Sequence, residues 1–581
     1  MEFSSRRAWL GAAALAGCIA AAPAWADDDE DCKAGGSLRL VNGKIHTMDK
    51  NDSVVSSVLI TNGRFAAVGH RRGDDGGDEC ARTINLHGRT VVPGIIDNHD
   101  HIILLGLRPG HDTRIENARS ISEVLSTLAA RAREVPAGDW ITSLGGFNIN
   151  QFTPPPAAPR FPTLAELDTV TPIHPVLILQ SFTGPSVTNS KGRAFFTANH
   201  VTVADDGSIA SGAQSVRALN KLRAMQTIDE QKRGLGYAMT YSAEVGVTTH
   251  LDQGGFPNTF TGRKEDDNDV DALANFDRYR AFDSVQALYQ ERRLTNRIFI
   301  NFLHLEDALD TPELHARLLN AFPNFGDNML KIHGIGEFTA NGYAVGAQQW
   351  KNGTRLVAQA RWSNENHSLS AGDFKVIIDE WVKVQAEELA AGRLGIADLR
   401  WVVAHVPFIT QEYIDKLKAL GGGLSAVGGW RYISGSATGN GPPFRRIIDS
   451  GIKVGMSCDG MQISPLNPWL GMYYAVTGKN ARGVLINGGQ QITRKEVLKL
   501  YTADNGWFLR EEDNIGTIEE GRWADLIVLS NDYFDEGKVS DEQIKDIYSV
   551  LTIVNGKIVH DNLDGRKRMY WNRDSRRAIG L

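Results

Sequence analysis

Val91-Val92-Pro93-Gly94-Ile95-Ile96-Asp97-Asn98-His99-Asp100-His101-Ile102 is the stretch that decides the fold. Its apolar first half is typical of a buried parallel strand. Residues two apart on an extended chain point to the same side, so His99 and His101 are predicted to project together from the C-terminal end of that strand. Two imidazoles placed in this way are suited to holding a metal ion, and the alternative is a chance His-x-His in a turn.

The length and composition are those of a globular enzyme. The chain has 581 residues, 42% of them hydrophobic and 23% charged, which predicts one large domain with a smaller one. The formal net charge is −7, and no long basic run occurs. This charge argues against nucleic acid or an anionic membrane as a partner and leaves a small-molecule substrate as the expected one.

The first 26 residues are predicted to be a twin-arginine signal peptide. Ser5-Arg6-Arg7-Ala8-Trp9-Leu10 precedes an apolar, Ala-rich segment, and Ala24-Trp25-Ala26 supplies small residues for cleavage before Asp27. The expected location is therefore the periplasm or the exterior, with no membrane attachment after cleavage. Leu15-Ala16-Gly17-Cys18 also resembles a lipoprotein cleavage box, so a form anchored through Cys18 is the second interpretation.

The mature chain retains three cysteines, Cys32, Cys80 and Cys458. An exported protein can form disulfides, and Cys32 and Cys80 bracket one small β-rich region. A bridge between these two is one prediction, whereas Cys458 is interpreted as a buried small hydrophobe.

Both ends of the mature chain have the pattern of short strands and turns. Residues 37–90 contain Asn42-Gly43-Lys44-Ile45, and residues 511–565 contain the similar Asn555-Gly556-Lys557-Ile558. This similarity predicts that the two segments pair into one small β-sandwich around a second domain.

Between them, residues 91–510 alternate strand-like and helical patterns, which favours a (β/α)₈ TIM barrel with insertions. A doubly wound fold is the alternative, but no Gly-x-Gly-x-x-Gly follows an early strand. The stretch 108–242 is long for one connection and should carry insertions, and its loop 148–162 is expected to cover the site.

Polar side chains at other predicted strand ends extend the histidine pair. Reactive groups of a (β/α)₈ barrel gather at the C-terminal ends of its strands. The sequence offers four candidates at or near such positions: Lys331, His367, His405 and Asp459. Each alone has a bland alternative, a solvated lysine, a satisfied histidine or a capping aspartate, and only their combination favours a site.

With these residues in place, the chain resembles the metal-dependent amidohydrolase superfamily, and within it the amidohydrolase family 3 branch that includes N-substituted formamide deformylases. The resemblance covers essentially the whole mature chain. It is carried by the split β-sandwich, by His405 and by residues 93–101, 161–168, 246–249, 457–468 and 516–529.

The resemblance implies a metal centre with one or two divalent ions, expected to be Zn²⁺. It places His99, His101 and Asp459 on one ion and His367 and His405 on the other, bridged by a carboxylated Lys331. A metal-activated hydroxide would attack the substrate, with Asp459 as general base and then general acid. Gly334-Ile335-Gly336-Glu337 stands where many relatives carry Asp-Gly, which leaves His333 or Glu337 as alternative ligands and a mononuclear site as an alternative centre.

Substrate recognition is assigned to the loops. Phe147, His250, Trp430 and Arg431 are predicted pocket residues, and Arg431 is a candidate partner for a substrate carboxylate. The alternative is that Phe147 and Trp430 only pack the barrel rim.

The predicted function is hydrolysis of a non-peptide C–N bond, such as an N-acyl, N-formyl or cyclic amide. Attack on an ester or lactone, or deamination, on the same centre is the first alternative. A non-catalytic binding or regulatory protein on this scaffold is the second, and the presence of both histidines and Asp459 argues against it. A homodimer is a further expectation from the resemblance.

Overall fold

The computed structural model describes most of the chain from residue 36 onward. The described ranges are 36–69, 81–153, 157–254, 281–340, 345–434, 441–460, 463–565 and 568–569. The predicted signal peptide, Cys18, Cys32, Cys80 and the Pro154-Pro155-Pro156 part of the expected cover loop lie outside these ranges.

The N-terminal segment forms short strands of two sheets. The strands are β1 (Leu38–Val41), β2 (Lys44–His46), β3 (Val54–Val55), β4 (Val58–Thr61), β5 (Arg64–Val68), β6 (Arg82–Asn85) and β7 (Thr90–Pro93). One sheet has the order β5-β4-β1-β6, whereas β2, β3 and β7 belong to the other. In β5 the burial alternates along the strand, as expected for a strand with one face on a core.

The first barrel strand, β8 (Ile95–Asp100), is followed by a long insertion with a sheet of its own. The inserted strands are β9 (His111–Asp112), β10 (Ile141–Leu144), β11 (Val176–Leu179), β12 (Ser186–Thr188) and β13 (Ser208–Ile209), and they have the order β13-β12-β11-β10-β9. The expected insertion in 108–242 is therefore a small α/β layer with a separate apolar core.

The remaining barrel strands are β14 (Val247–Asp252), β15 (Arg297–Phe302), β16 (Leu330–Ile335), β17 (Ser363–His367), β18 (Val402–Ala404), β19 (Gly423–Val427) and β20 (Lys453–Ser457). Together with β8 they form an eight-stranded sheet in which each hydrogen-bonded pair is parallel. The Asp459 N–H, just after β20, donates to the carbonyl of His99 at 2.9 Å, so the last strand returns to the first. The (β/α)₈ fold predicted from the alternating pattern is confirmed.

The helices flank the barrel and the inserted sheet. Their bounds are α1 (Ile102–Gly106), α2 (Ile121–Ala132), α3 (Leu164–Val170), α4 (Ser190–Ala198), α5 (Ala213–Arg223), α6 (Ile228–Val245), α7 (Asp283–Gln290), α8 (Pro312–Asn320), α9 (Gln348–Gln359), α10 (Ala371–Ala390), α11 (Gln411–Ala419), α12 (Gly429–Ser434), α13 (Phe444–Asp449), α14 (Pro468–Thr477) and α15 (Arg494–Leu500). Capping boxes begin several of them. In α6 the side chain of Thr227 accepts from the N–H of Glu230, whose own carboxylate accepts from the N–H of Thr227. Within the described residues, no helix is long and apolar enough to cross a membrane.

The C-terminal strands complete the second sheet. They are β21 (Leu526–Leu529), β22 (Ser549–Val554), β23 (Lys557–Asp561) and β24 (Arg568–Met569), in the order β24-β23-β22-β21-β7-β2-β3. Residues from both termini, among them Leu40 and Leu526, share one apolar core between the two sheets. The two ends of the chain therefore build one β-sandwich, as the sequence predicted.

Candidate metal centre

Six side chains meet at the C-terminal mouth of the barrel, and we call them the six-residue cage. Each lies at or just beyond the end of a barrel strand: His99 and His101 at β8, Glu337 after β16, His367 at the end of β17, His405 after β18 and Asp459 after β20. The parallel strands direct their C-terminal ends to one face, which is where (β/α)₈ barrels place reactive groups.

Two cage residues leave their strands through an unusual backbone conformation. His405 has φ 67° and Asp459 has φ 50°, in the left-handed region that non-glycine residues seldom adopt. Strain of this kind persists where the surrounding structure fixes it, and it concentrates at functional sites. At both residues the chain therefore leaves the extended conformation of the strand before it.

The first part of the cage lies around His99 and His101. The Nε2 atom of His101 lies 3.5 Å from Asp459 Oδ1 and 3.4 Å from Glu337 Oε1. His99 Nε2 lies 3.3 Å from Glu337 Oε2 and 4.0 Å from Asp459 Oδ1. Two imidazoles and two carboxylates thus direct donor atoms toward one small volume.

The second part shares Glu337 with the first. Its Oε2 atom lies 2.7 Å from His367 Nδ1 and 3.3 Å from His405 Nε2. The two imidazole nitrogens are themselves 2.9 Å apart. Glu337 therefore contacts all four histidines of the cage, His101 through Oε1 and the other three through Oε2, as a ligand shared by two ions would.

The donor set fits a divalent cation. Donor atoms of His99, His101 and Asp459, and likewise those of His99, Glu337 and His405, lie within 4.8 Å of one another. His99 Nε2 and His405 Nδ1 are buried and form no hydrogen bond with the residues that the structure describes. A buried polar atom without a partner is costly, and a cation coordinated by these nitrogens and carboxylates would satisfy both of them.

The charges of the cage are strongly interdependent. Burial alone would raise the pKa of Glu337, but the charge of His367 and hydrogen bonds from three histidines hold that pKa well below its usual range. Burial opposes the charged form of His101, yet hydrogen bonds to Asp459 and Glu337 raise its pKa to about 10. Burial and then the charge of His367 lower the pKa of His405 to about 4. The carboxylates thus already attract positive charge to the site.

A second group of buried polar residues lies behind the cage. Asp97 accepts from the N–H of Cys458 at 3.0 Å, and burial together with the charge of Asp100 raises its pKa to about 7. His99 is held from behind by Glu365, whose Oε1 lies 2.5 Å from Nδ1. These contacts fix the strands that carry the ligands.

The structure does not place Lys331 in the cage, so the prediction of a bridging carboxylated lysine is wrong. Lys331 is the second residue of β16, near the end of the strand opposite the mouth. Its Nζ forms an ion pair with Glu511 and lies 5.3 Å from the centroid of the Phe299 ring. The alternative ligand Glu337 occupies the position between the histidine pairs, whereas His333 lies within the strand and not in the cage.

Two of the predicted pocket residues are interior residues. Phe147 is 1% exposed and packs against Phe152, with ring centroids 5.5 Å apart, inside the core of the insertion. His250 is completely buried, and its Nδ1 forms a hydrogen bond with Asp100. Neither side chain is exposed to a substrate, so both pocket predictions are corrected.

The other two predicted pocket residues stand directly after β19, in the first turns of α12. The guanidinium carbon of Arg431 lies 4.2 Å from the centroid of the Trp430 ring. Arg431 is 8% exposed, and burial lowers its pKa. In the described parts of the chain, no carboxylate pairs with it.

Sequence reasoning missed Glu365 and gave Glu337 only as an alternative. A signal for Glu365 was available, because it stands two residues before His367 and residues two apart on a strand share a side. For Glu337, the signal was its position just after a predicted strand. The family resemblance favoured Lys331 as the ligand and outweighed that signal.

The sequence of the chain is similar to those of known amidohydrolases. The model of the Amidohydrolase family matches residues 82–560. The N-substituted formamide deformylase of Arthrobacter pascens is 22% identical over 574 residues, which cover 90% of this chain and 98% of the deformylase.

Solved structures agree in fold. An uncharacterized metal-dependent hydrolase from Pyrococcus horikoshii OT3 matches with a TM-score of 0.55 at 19% identity, over 87% of this chain and 99% of that one. An atrazine chlorohydrolase from Arthrobacter aurescens TC1, complexed with zinc, matches with a TM-score of 0.52 at 15% identity, over 94% of this chain and 98% of that one.

Proposed function

Because this chain belongs to the Amidohydrolase family and is a hydrolase acting on carbon–nitrogen bonds, we propose that it cleaves a non-peptide, amide-type bond of a small molecule at the six-residue cage. The observation that carries the proposal is the convergence of these side chains around His99 Nε2, a buried nitrogen that forms no hydrogen bond with the described residues. The resemblance to a formamide deformylase supports an N-acyl or N-formyl substrate.

Zinc is the proposed ion. Histidine nitrogen and carboxylate oxygen are its usual ligands, and the chlorohydrolase with the same fold is complexed with zinc. His99, His101 and Asp459 would hold one ion and His367 and His405 a second, with Glu337 contributing to both. A divalent cation bound there supplies Lewis-acid activation of a water molecule and of the scissile carbonyl group.

Asp459 is the proposed general base and acid. Its side chain is 9% exposed, whereas those of the other ligands in the first part of the cage are at most 3% exposed, so it is the most accessible of them. Its Oδ1 lies at His101, and its Oδ2 lies 3.8 Å from His405 Nδ1. From this position the carboxylate can take the proton of the attacking water and pass it to the departing amine.

Arg431 and Trp430 are proposed to bind the substrate. A buried guanidinium with no carboxylate partner among the described residues supports recognition of an anionic or acceptor group, because unpaired burial of a charge is costly.

We also propose export to the periplasm, which the Arg6-Arg7 pattern supports.

The decisive experiment joins metal analysis to turnover. The purified protein is expected to bind one or two divalent ions per chain and to hydrolyse members of a panel of N-formyl, N-acyl and cyclic amides, with and without a carboxylate, alongside esters and lactones. Asp459→Asn is expected to lower kcat by about 10²–10⁴-fold with the fold intact. The exposed Asp205→Asn serves as control and should keep full activity. Full turnover by metal-free protein would refute the proposal.

A further inference from the structure

The two ring nitrogens of His99 face two different glutamates. Nε2 points into the cage, 3.3 Å from Glu337 Oε2, whereas Nδ1 lies 2.5 Å from Glu365 Oε1. The imidazole has no exposed surface, so Glu365 cannot be replaced by solvent at Nδ1. Glu365 touches a ligand but does not belong to the cage.

Glu365 is itself held by a chain of buried amides. Gln253 donates from Nε2 to Glu365 Oε2 at 2.7 Å, and Asn301 donates from Nδ2 to Gln253 Oε1 at 3.0 Å. Glu365 lies on β17, Gln253 directly after β14 and Asn301 on β15, and none of these residues is more than 2% exposed. Both oxygens of Glu365 therefore have fixed partners, and its carboxylate has little freedom to rotate.

The same chain packs against the backbone that leads to Glu337. A Cβ atom on Gly336 would lie 2.7 Å from Gln253 Oε1 and 3.0 Å from the Cβ of Glu365. Only a residue without a side chain allows this approach. Glu365 therefore contacts the ligand His99, and together with Gln253 it packs against the segment that carries the Glu337 carboxylate.

The hydrogen bond has a chemical consequence for His99. A neutral imidazole carries one N–H, and a carboxylate without a proton can only accept, so Glu365 places that proton on Nδ1. Nε2 is then left with its lone pair directed into the cage, which is the form that binds a cation. His101 has a weaker support, since its Nδ1 faces the neutral carbonyl of Gly254 at 3.2 Å.

We infer that Glu365 is a positioning residue, which fixes the ring orientation and the tautomer of His99 and is braced by Gln253 and Asn301. This inference rests on the proposed function in one respect, namely that His99 is a metal ligand. Removing such a partner of a metal-ligating histidine is expected to weaken metal binding by about 10- to 100-fold.

The test measures zinc affinity and not turnover. Metal-free wild type, Glu365→Gln and the control Glu380→Gln are titrated with Zn²⁺ against a chelator at one pH. Glu380 is a matched control, because it is also a buried glutamate (4% exposed) in an ion pair, with Arg355 at 2.8 Å, but on α10 outside the barrel. Glu365→Gln should raise the dissociation constant of the tightest ion by about 10- to 100-fold, and Glu380→Gln should leave it unchanged.

A second variant covers a failure of Glu365→Gln to fold. Gln253→Met keeps the carboxylate but removes its brace, and it should raise the same dissociation constant by a smaller factor. Wild-type affinity in a folded Glu365→Gln protein, or in Gln253→Met if the first variant does not fold, would overturn the inference. Absence of zinc binding by the wild type would instead overturn the proposed function, so the two failures are distinguishable.

Discussion

At the scale of single residues, the metal centre depends most on Glu337, because its carboxylate lies within 3.4 Å of all four histidines of the cage. Glu337 follows the last residue of β16 by two positions, whereas Lys331 is the second residue of that strand. The sequence predicts the strand but not the residue at which it ends, and the family resemblance favoured Lys331 over Glu337 as the ligand. His99, His101, His405 and Asp459 could be found because each lies at the end of an apolar strand, whereas His367 ends a polar strand and was assigned from the family resemblance.

Paired variants separate the two residues. Glu337→Gln should lose bound metal and reduce turnover by more than about 100-fold, because Glu337 lies between both histidine pairs. Lys331→Met should keep wild-type metal content. It should lower the free energy of unfolding by about 1–3 kcal/mol, because the buried Glu511 carboxylate loses its cation. Metal analysis and urea denaturation measure the two effects, and metal loss in Lys331→Met alone would restore the lysine as the ligand.

At the scale of elements, the apolar barrel strands were predictable because buried parallel strands are short apolar runs, but β17 is polar throughout and was not among the predicted strands. The inserted sheet β9–β13 was not predicted, since some of its strands have only two or three residues and are too short to show a recognisable hydrophobic pattern. Burial of Phe147 follows from that sheet, because its helices and strands form a core of their own. The position of Phe147 in this core could not be predicted from the sequence of its loop.

Gly246 tests how an element junction is fixed. It ends α6 with φ 91°, and a Cβ there would lie 2.7 Å from Ile527 Cδ1 on β21. Gly246→Ala should cost about 1–2 kcal/mol for the left-handed conformation, plus the cost of displacing Ile527.

Gly138 is the matched control for this substitution. It has φ 90° and open space around its Cβ position, so Gly138→Ala should show the conformational cost alone. Urea denaturation of both variants measures the difference. Equal losses in the free energy of unfolding would show that the contact between α6 and the β-sandwich contributes nothing to stability.

At the scale of the whole molecule, the barrel and the β-sandwich are joined by a buried ion pair. Arg297 on β15 donates to both oxygens of Asp525, at 2.6 Å from Nε and 2.9 Å from Nη2. Its guanidinium also lies 4.4 Å from the centroid of the Trp523 ring. The sequence predicted the split sandwich from its similar turns, but a pair 228 positions apart leaves no local pattern.

Breaking this pair should destabilise the junction. Arg297→Met leaves the Asp525 carboxylate buried without its cation, and the expected loss is about 3–5 kcal/mol in the free energy of unfolding. Arg193→Ala, which removes an exposed pair with Asp205, should cost no more than about 1 kcal/mol. Denaturation followed by tryptophan fluorescence measures the free energy of unfolding of both variants. Similar small losses would show that the ion pair between Arg297 and Asp525 does not hold the barrel and the β-sandwich together.

The most direct test of the metal centre is a crystal structure of the zinc-loaded protein with anomalous scattering recorded at the zinc edge. One or two peaks are expected at the barrel mouth, about 2.0–2.1 Å from nitrogens of His99 and His101 and, for a second ion, of His367 and His405, with Glu337 between them. A zinc peak coordinated by Lys331, or the absence of any peak within the six-residue cage, would contradict the account.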